Sequence, residues 1–217
     1  MIYRFFKRLT DIAVSLIAIL VFSPLMLVLA ALIKLGSTGP VFYRGERAGV
    51  AGATFRILKF RSMVVDAEHK GGFSTAIDDP RLTTIGRFLR QYKLDELPQF
   101  FNVLFGDMSL VGPRPQVLYY TNRYVGDELL ILTVKPGITD LASLYFVDMD
   151  VVLGSGDVDA LYMAEIEPVK NQLRIRYVRE RSYLFDLRIL VETAFKLVGL
   201  ENVTGLNISP LVSGGNG

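Results

Sequence analysis

Cysteine is absent from this 217-residue chain, and histidine occurs once, at position 69. The missing cysteine excludes disulfides and thiolate chemistry, which suits a reducing compartment. The solitary histidine has no second imidazole with which to form a metal pair. The net charge of +2 is too small to indicate a nucleic-acid partner, and we expect none. What remains for chemistry is a set of carboxylates, arginines and lysines.

The longest apolar run reads "IAVSLIAILVFSPLMLVLAALI" and covers residues 12–33 without a charge. As one straight helix it would be roughly 33 Å long, enough to cross a bilayer core of about 30 Å. A single-pass anchor is therefore one interpretation. Pro24 argues against it, because proline leaves the carbonyl of Leu20 without its helical partner and kinks the helix. The hydroxyl of Ser23 or a water could supply the missing bond.

Positive charge lies on both sides of this run, whereas a spanning helix concentrates it on the cytoplasmic side. The basic residues are Arg4, Lys7 and Arg8 before the run and Lys34, Arg44, Arg47, Arg56, Lys59 and Arg61 after it. A helix–break–helix that enters and leaves the membrane on one face satisfies both the charges and the proline. We therefore predict that residues 1–36 form a re-entrant membrane hairpin, broken at Ser23 and Pro24.

The next stretch, "GPVFYRGERAGVAGATFRILKFRSM", is rich in glycine, β-branched and aromatic residues. This composition predicts two short strands with a turn at residues 49–52. Lys59 and Arg61 would share one face, because side chains alternate along a strand. They are either charges that protect a solvated edge or phosphate-binding groups.

Helical spacing in "RLTTIGRFLRQY" places four residues on one face: Ile85, Phe88, Leu89 and Tyr92. The face would pack on a core or lie at a membrane surface, with Arg87 and Arg90 elsewhere on the helix.

The segment "KLDELPQFFNVLFGDMSLVGPRP" carries two adjacent carboxylates, Asp95 and Glu96. Asp95 is a good N-cap, and Pro98 is tolerated in a first helical turn, so we predict that a helix begins at this pair. Gly106 offers a stop for it. Beyond the helix, two flanking prolines display Arg114 on a stiff, extended backbone.

Two further helices are expected after residue 160, and in the second we expect the apolar spacing to pack on the core, with an interface as the other possibility. Its members are Leu187, Leu190, Val191, Ala194, Phe195 and Val198. The predicted fold is α+β and mainly helical: a re-entrant hairpin, a short β-hairpin and amphipathic interfacial helices around a compact catalytic core. Residues 37–200 would form the cytoplasmic catalytic domain, and residues 201–217 a flexible tail.

A carboxylate pair with arginines and a lysine nearby is suited to phosphate chemistry. Arginine binds phosphate bidentately, and carboxylates are the hard oxygen ligands that Mg²⁺ requires. A carboxylate can also attack phosphorus. The residues alone indicate membrane-associated, metal-assisted phosphoryl transfer. An ordinary helix cap with solvated charges is the alternative.

The blocks "GPVFYRGERAG", "FRILKFRSM", "DDPRLTTIGRFLRQYKLDELPQFFNVLFGDMSLVGPRP" and "KPGIT" resemble the bacterial sugar transferase family, the small monotopic phosphoglycosyl transferases. The resemblance runs from the N-terminus to about Thr139 and resumes at residues 177–193. It implies transfer of a sugar phosphate from a UDP-sugar to undecaprenyl phosphate with release of UMP. The place would be the cytoplasmic face of the bacterial inner membrane, early in surface glycan biosynthesis.

The resemblance also assigns roles. Asp95 matches the nucleophile that forms a phospho-sugar intermediate, and Mg²⁺ would bind at Asp95 and Glu96. Glu96 would either help to hold the metal or deprotonate the acceptor. Lys59, Arg90 and Arg114 match phosphate-facing positions, and Ser23-Pro24 matches a helix-breaking pair. Arg61 and Arg87 are further phosphate-binding candidates. Expected partners are the two substrates, membrane lipid, and downstream glycosyltransferases or a second copy of the chain.

One departure concerns the donor. Many members follow "PGIT" with a "G-x-A-Q-x-x-G-R" type stretch, whereas this chain reads "DLASLYFVDMDVVLGSGD". Lacking a long multi-span region before the apolar run, the chain resembles the minimal form of the family. Two other functions are weighed: a non-catalytic scaffold or regulator that binds lipid headgroups, and an anchored phosphohydrolase that uses water as acceptor. The scaffold makes no demand on the carboxylate pair or Arg114.

Overall fold

The structure is a computed structural model that describes residues 2–67, 79–146, 162–200 and 203–209. Its helices and strands in chain order are α1 (Ile2–Gly36), β1 (Phe42–Ala48), β2 (Thr54–Phe60), α2 (Thr84–Gln91), α3 (Gln99–Phe105), β3 (Ser109–Val111), α4 (Leu118–Thr121), β4 (Gly137–Thr139), α5 (Leu141–Tyr145), α6 (Glu167–Glu180) and α7 (Tyr183–Leu197). The described part is mainly helical with two small sheets, in agreement with the predicted class. His69 lies outside the described residues, and so does most of the stretch after "PGIT" that departs from the family pattern.

Helix α1 is continuous over 35 residues, with Pro24 inside it. The hydroxyl of Ser23 donates to the carbonyl of Leu20 at 2.9 Å. This is one of the two replacement partners that the sequence suggested for that carbonyl, to which proline cannot donate. By length and composition α1 is long and apolar enough to cross a membrane. The helix ends at the predicted boundary, Gly36, while the re-entrant course stays a prediction.

Both ends of α1 pack against the rest of the chain. Near its start, Asp11 is buried and accepts hydrogen bonds from Ser109 Oγ and from the backbone N–H of Leu110, both at 3.0 Å. Near its end, Leu29 and Ile33 are buried in a cluster with residues of β2 and α2. Residues 19–28, between these two contacts, include no buried side chain.

The predicted β-hairpin is confirmed. Strands β1 and β2 pair antiparallel from Phe42 opposite Phe60 to Ala48 opposite Thr54, and a 3₁₀ turn at Val50–Gly52 joins them. A second, parallel pair was not predicted. It places Ser109 of β3 beside Gly137 of β4. A side chain at Gly137 would come within 2.1 Å of the backbone nitrogen of Gly112, so the close approach requires glycine.

The prediction that a helix begins at Asp95 is wrong. Residues Leu94–Glu96 form a 3₁₀ turn, and α3 begins only at Gln99. Asp95 caps no helix, since its side chain accepts no bond from a described backbone N–H. The chain enters the turn through Lys93, whose φ of 55° lies in the left-handed region. Gly106 ends α3 with a φ of 96°, as predicted.

Only half of the predicted apolar face of helix α2 is buried. Thr83 caps the helix by accepting from the backbone N–H of Gly86 at 3.0 Å. Leu89 is fully buried and Ile85 packs beside it, while the rings of Phe88 and Tyr92 are exposed and lie 4.9 Å apart. The core therefore takes one half of the predicted face, and the other half is solvent-accessible.

Helices α6 and α7 confirm the two predicted C-terminal helices. The preferred core packing of the α7 stripe is wrong for its second half, because Val191, Phe195 and Val198 are exposed. Ile189 faces the core instead, between the buried polar residues Asp186 and Glu192. These carboxylates turn inward because they have partners there. The Asp186 carboxylate accepts from Tyr177 at 2.8 Å, and that of Glu192 from Thr204 at 2.7 Å.

Part of the predicted tail packs against this domain. Leu206 is buried, and Arg176 of α6 donates to the carbonyls of Asn207 and Ser209, each at 3.0 Å. Residues 201–202 and 210–217 lie outside the described part of the chain.

Candidate active site

Asp95 and Glu96 lie in the 3₁₀ turn between α2 and α3, beside the end of β2. Asp95 is 5% exposed. Lys93, which begins the turn, has a left-handed backbone that costs a non-glycine residue roughly 1 kcal/mol. Backbone strain of this kind is common at functional sites, where the surrounding structure holds it in place.

Glu96 forms ion pairs with two cations from distant parts of the chain. Its Oε1 accepts from Lys59 Nζ at 2.8 Å and from Arg114 Nη2. Burial by itself would raise the pKa of Glu96, but Arg114 and then Lys59 outweigh it and hold the pKa well below its usual range. Glu96 is therefore held as a carboxylate by two fixed positive charges.

Asp95 has the opposite balance. Its carboxylate forms no hydrogen bond with another described residue, and burial is the main reason that its pKa is raised. Glu96 raises the pKa of Asp95 further, while Lys59, Arg90 and Arg114 lower it. The result is a buried carboxylate that faces three cations and remains free of hydrogen bonds to described groups.

Arg114 is positioned by Asp140, a residue that the sequence analysis missed. Asp140 is fully buried; its Oδ2 accepts from the backbone N–H of Arg114 at 3.0 Å, and its Oδ1 caps α5 by accepting from Ser143 N at 2.6 Å. The β3–β4 pair brings "GPRP" and "KPGIT" together at this point. An Asp directly before a helical run is a capping signal, so the sequence did contain a clue to this residue.

Lys59 is positioned by Asn102, which was also missed. The side chain of Asn102, on α3, accepts from Leu58 N at 2.8 Å and donates to the carbonyl of Arg56 at 2.9 Å. These two bonds join α3 to the free edge of β2, one residue from Lys59. An amide side chain within an apolar helix is the sequence feature that points to such a bridge.

The other predicted phosphate-binding residues differ in position. Arg90 donates to Ser62 Oγ at 3.1 Å and is close enough to lower the pKa of Asp95, so it belongs to the site. Arg61 is buried and donates to Ser37 O and Oγ, at 3.0 and 2.8 Å, at the end of α1. Its guanidinium thus binds the residues that follow α1 and forms no ion pair with Asp95 or Glu96. Arg87 is exposed on α2, and among the described residues it forms no ion pair with Asp95 or Glu96.

The oxygen ligands available at the site decide whether Mg²⁺ could bind there. Among the described residues no group of three or more His, Cys, Asp or Glu side chains could hold a metal ion. Two adjacent carboxylates are nevertheless enough, because Mg²⁺ is usually held by one or two carboxylates together with waters and substrate phosphates. Asp95 and Glu96 fit the ion on condition that a diphosphate supplies further oxygen ligands.

Known proteins resemble the chain over most of its length. A family model described as "Bacterial sugar transferase" matches residues 2–199. A UDP-glucose:undecaprenyl-phosphate glucose-1-phosphate transferase of Klebsiella pneumoniae is 40% identical over 194 residues, which are 88% of this chain and 40% of that protein. An uncharacterized sugar transferase of Bacillus subtilis, EpsL, is 34% identical over 201 residues, or 93% of this chain and 91% of its own.

A third relative acts on another sugar. The UDP-N-acetylgalactosamine-undecaprenyl-phosphate N-acetylgalactosaminephosphotransferase of Aeromonas hydrophila is 44% identical over 155 residues, 69% of this chain and 37% of that protein. The chain thus spans about two fifths of the length of the first curated relatives that it matches, 40% in each case. The Klebsiella and Aeromonas relatives are both named for undecaprenyl phosphate and differ in the sugar.

Proposed function

This chain belongs to the bacterial sugar transferase family, and we propose that it moves a sugar-1-phosphate from a UDP-sugar to undecaprenyl phosphate. The observation that carries the proposal is the contrast between the two carboxylates. Asp95 is buried, faces three cations and makes no hydrogen bond to a described residue, while Glu96 binds Lys59 and Arg114. A lipid-binding scaffold has no need of this arrangement.

In the proposed first step, a carboxylate oxygen of Asp95 attacks the phosphorus that bears the sugar. The bond from this phosphorus to the bridging oxygen breaks, UMP leaves with that oxygen, and a sugar-phosphoryl aspartate forms. In the second step, a phosphate oxygen of the polyprenol attacks the same phosphorus and the Asp95 carboxylate leaves. The product is a polyprenyl diphosphate sugar.

The cations have a defined task in this scheme. Lys59, Arg90 and Arg114 would neutralise the phosphoryl oxygens as charge develops on them, and they do so in a water-poor site where each interaction is strong. Glu96 orients two of them. It is a poor candidate for deprotonating the acceptor, because its depressed pKa makes it a weak proton acceptor.

Mg²⁺ is proposed as the cofactor, held by Asp95 and Glu96. When bound, it would offset the negative charge of the diphosphate and relieve the repulsion between the two carboxylates. The protein's own groups then have to orient the donor and keep Asp95 aimed at phosphorus.

We also propose that α1 is re-entrant and that the domain lies on the cytoplasmic face of the membrane. Its first turns are tied to the domain by Lys7, which donates to Asp186 Oδ2 at 2.8 Å, and its last turns by buried Leu29 and Ile33. The stretch without a buried side chain, residues 19–28, would be about 15 Å long, half of a bilayer core of about 30 Å. Because α1 is held to one domain at both ends, the stretch between the two attachments is too short to span the membrane.

An assay of UMP release separates the proposed transfer reaction from mere binding of the substrates. Purified protein in detergent with Mg²⁺ is given a panel of UDP-sugars, first without acceptor and then with undecaprenyl phosphate. Without acceptor, the proposal expects up to one UMP per protein and a mass increase of one sugar phosphate at Asp95. Sustained release of sugar-1-phosphate without lipid would instead favour hydrolysis, and normal turnover by a folded Asp95→Asn variant would falsify the nucleophile assignment.

A further inference from the structure

A second cationic group lies beside the candidate active site, on α6. The ammonium of Lys170 is 4.8 Å from the centroid of the Tyr162 ring and 5.2 Å from that of Phe146. Lys170 is half-buried, and it forms no hydrogen bond or ion pair with another residue in the described part of the chain. Two aromatic rings attract a cation but do not replace the oxygen acceptors that it loses on burial.

The nearby carboxylates are bound mainly to other groups, and the one oxygen without a hydrogen-bond partner among the described residues, Oε2 of Glu167, forms no bond with Lys170. Oε1 of Glu167 accepts from the buried guanidinium of Arg174 at 3.0 Å, and both oxygens of Asp140 bind backbone N–H groups. Burial is the main reason that the pKa of Lys170 is lowered to about 8; Arg174 and Arg114 lower it further, and Glu167 and Asp140 oppose them. A positive charge at this position is therefore costly until an anion joins it.

Helix α5 links this lysine to the active site. Asp140, which caps the start of α5, binds the backbone of Arg114, and Phe146, directly after α5, packs against Lys170. The six-residue step from Asp140 to Phe146 is about 9 Å along a helix axis. The positive charge of Arg114 also lowers the pKa of Lys170. The lysine is thus displaced from the reacting carboxylates yet within reach of a ligand bound at Arg114.

We propose that Lys170 binds the nucleotide-side phosphate of a nucleoside diphosphate donor, the phosphate that leaves as UMP. This inference rests on the proposed function, in which Asp95 and Arg114 contact the other phosphate. The rings of Phe146 and Tyr162 lie against the ammonium itself and would hold it where the phosphate oxygens bind. Lys170 thereby binds the leaving group rather than the transferred sugar phosphate.

The test measures binding of radiolabelled UMP to the full chain in detergent by equilibrium dialysis at pH 7. Lys170→Ala is expected to weaken UMP binding about tenfold, the effect of losing one charge-assisted hydrogen bond. Lys170→Arg, which keeps the charge, should retain most of the affinity. Uridine, which has no phosphate, should bind equally to all variants. Arg179→Ala is the matched control, since Arg179 is on the same helix in an exposed ion pair with Asp127.

A pH series tests the inference without relying on the alanine variant. The affinity of the wild-type protein for UMP should fall as the pH rises from 7 to 9, because Lys170 loses its proton near pH 8. Phosphate monoesters have their second pKa near 6, so the phosphate of UMP stays a dianion over this range, and uridine measured at the same pH values corrects for ionisation of the uracil ring. Burial raises the pKa of Tyr162 above its usual range, so the neighbouring phenol does not titrate. Lys170→Arg should abolish the fall.

The outcomes separate the two proposals. If the wild-type protein binds UMP and Lys170→Ala binds it equally well, or if Lys170→Arg keeps the same pH dependence, the role of Lys170 is wrong and the proposed function stands. If the wild-type protein binds neither UMP nor UDP, both are wrong.

Discussion

Asp95 and Glu96 are neighbours in the chain, yet their carboxylates have opposite surroundings. Glu96 is bound by Lys59 and Arg114, and its pKa is depressed; Asp95 is buried without a described hydrogen-bond partner, and its pKa is raised. The two adjacent acids thus have different roles: Glu96 orients cations, whereas the carboxylate of Asp95 is not held by a described hydrogen bond.

Asp95→Asn should make the protein more stable while removing its activity. The substitution removes a buried charge and its repulsion with Glu96, so we expect the melting temperature to rise by about 2–4 °C, the shift that 1 kcal/mol produces in a chain of this size. Thermal denaturation with EDTA present measures it. Asp66→Asn, at an exposed position, should leave the melting temperature unchanged. A lower melting temperature for Asp95→Asn would contradict the proposed electrostatics.

Arg114→Ala should lower kcat for UMP release by about 10²–10³-fold, the usual effect of removing one preorganised group that stabilises charge in the transition state. Arg114→Lys should recover only part of this, because lysine lacks the planar fork of arginine. Steady-state assays with one UDP-sugar measure both. Arg179→Ala serves as the charge control, and equal losses in the two alanine variants would argue against a specific role for Arg114.

Asn102→Ala should lower the free energy of unfolding by about 1–2 kcal/mol, because it leaves Leu58 N–H and the Arg56 carbonyl without these partners at a partly buried edge. Urea titration followed by circular dichroism measures the change. Asn122→Ala, at an exposed position on the surface, should stay within about 0.5 kcal/mol of the wild-type value. If both variants unfold alike, the amide bridge contributes nothing.

Single cysteines can determine the course of α1, because the chain has no native cysteine. Ile2→Cys and Leu35→Cys place thiols at the two ends of the helix, where the side chains are 74% and 86% exposed. A re-entrant helix predicts that an impermeant maleimide labels both only from the cytoplasmic side, like the reference variant Asn122→Cys. Labelling of the Ile2→Cys variant from the outside would establish a spanning helix instead.

Chelation of divalent cations should stop UMP release, and added Mg²⁺ should restore it, because the two carboxylates need a counter-ion once the diphosphate is bound. The assay is repeated with EDTA and then with excess Mg²⁺. Unchanged turnover in EDTA would exclude the metal from the mechanism and leave the protein's own cations, among them Lys59, Arg90 and Arg114, to act on the phosphates.

The amino-acid sequence by itself determined the local features. It predicted the β-hairpin and the end of α3 at Gly106, and it suggested Ser23 as one of two candidate partners for the carbonyl of Leu20. Each depends on the conformational preferences or missing N–H of residues within a few positions of one another, so the order of residues is sufficient. The acidic pair was also visible, although its helix begins later than predicted.

The tertiary structure alone decided which distant groups meet. The sequence treated Arg61 and Arg114 alike, but folding places the first on the end of α1 and the second on Glu96. Asp140 and Lys170 acquire their surroundings only when the β3–β4 pair, α5 and α6 come together. A long cationic side chain binds whichever oxygen the fold brings within its reach, and local sequence carries no record of that partner.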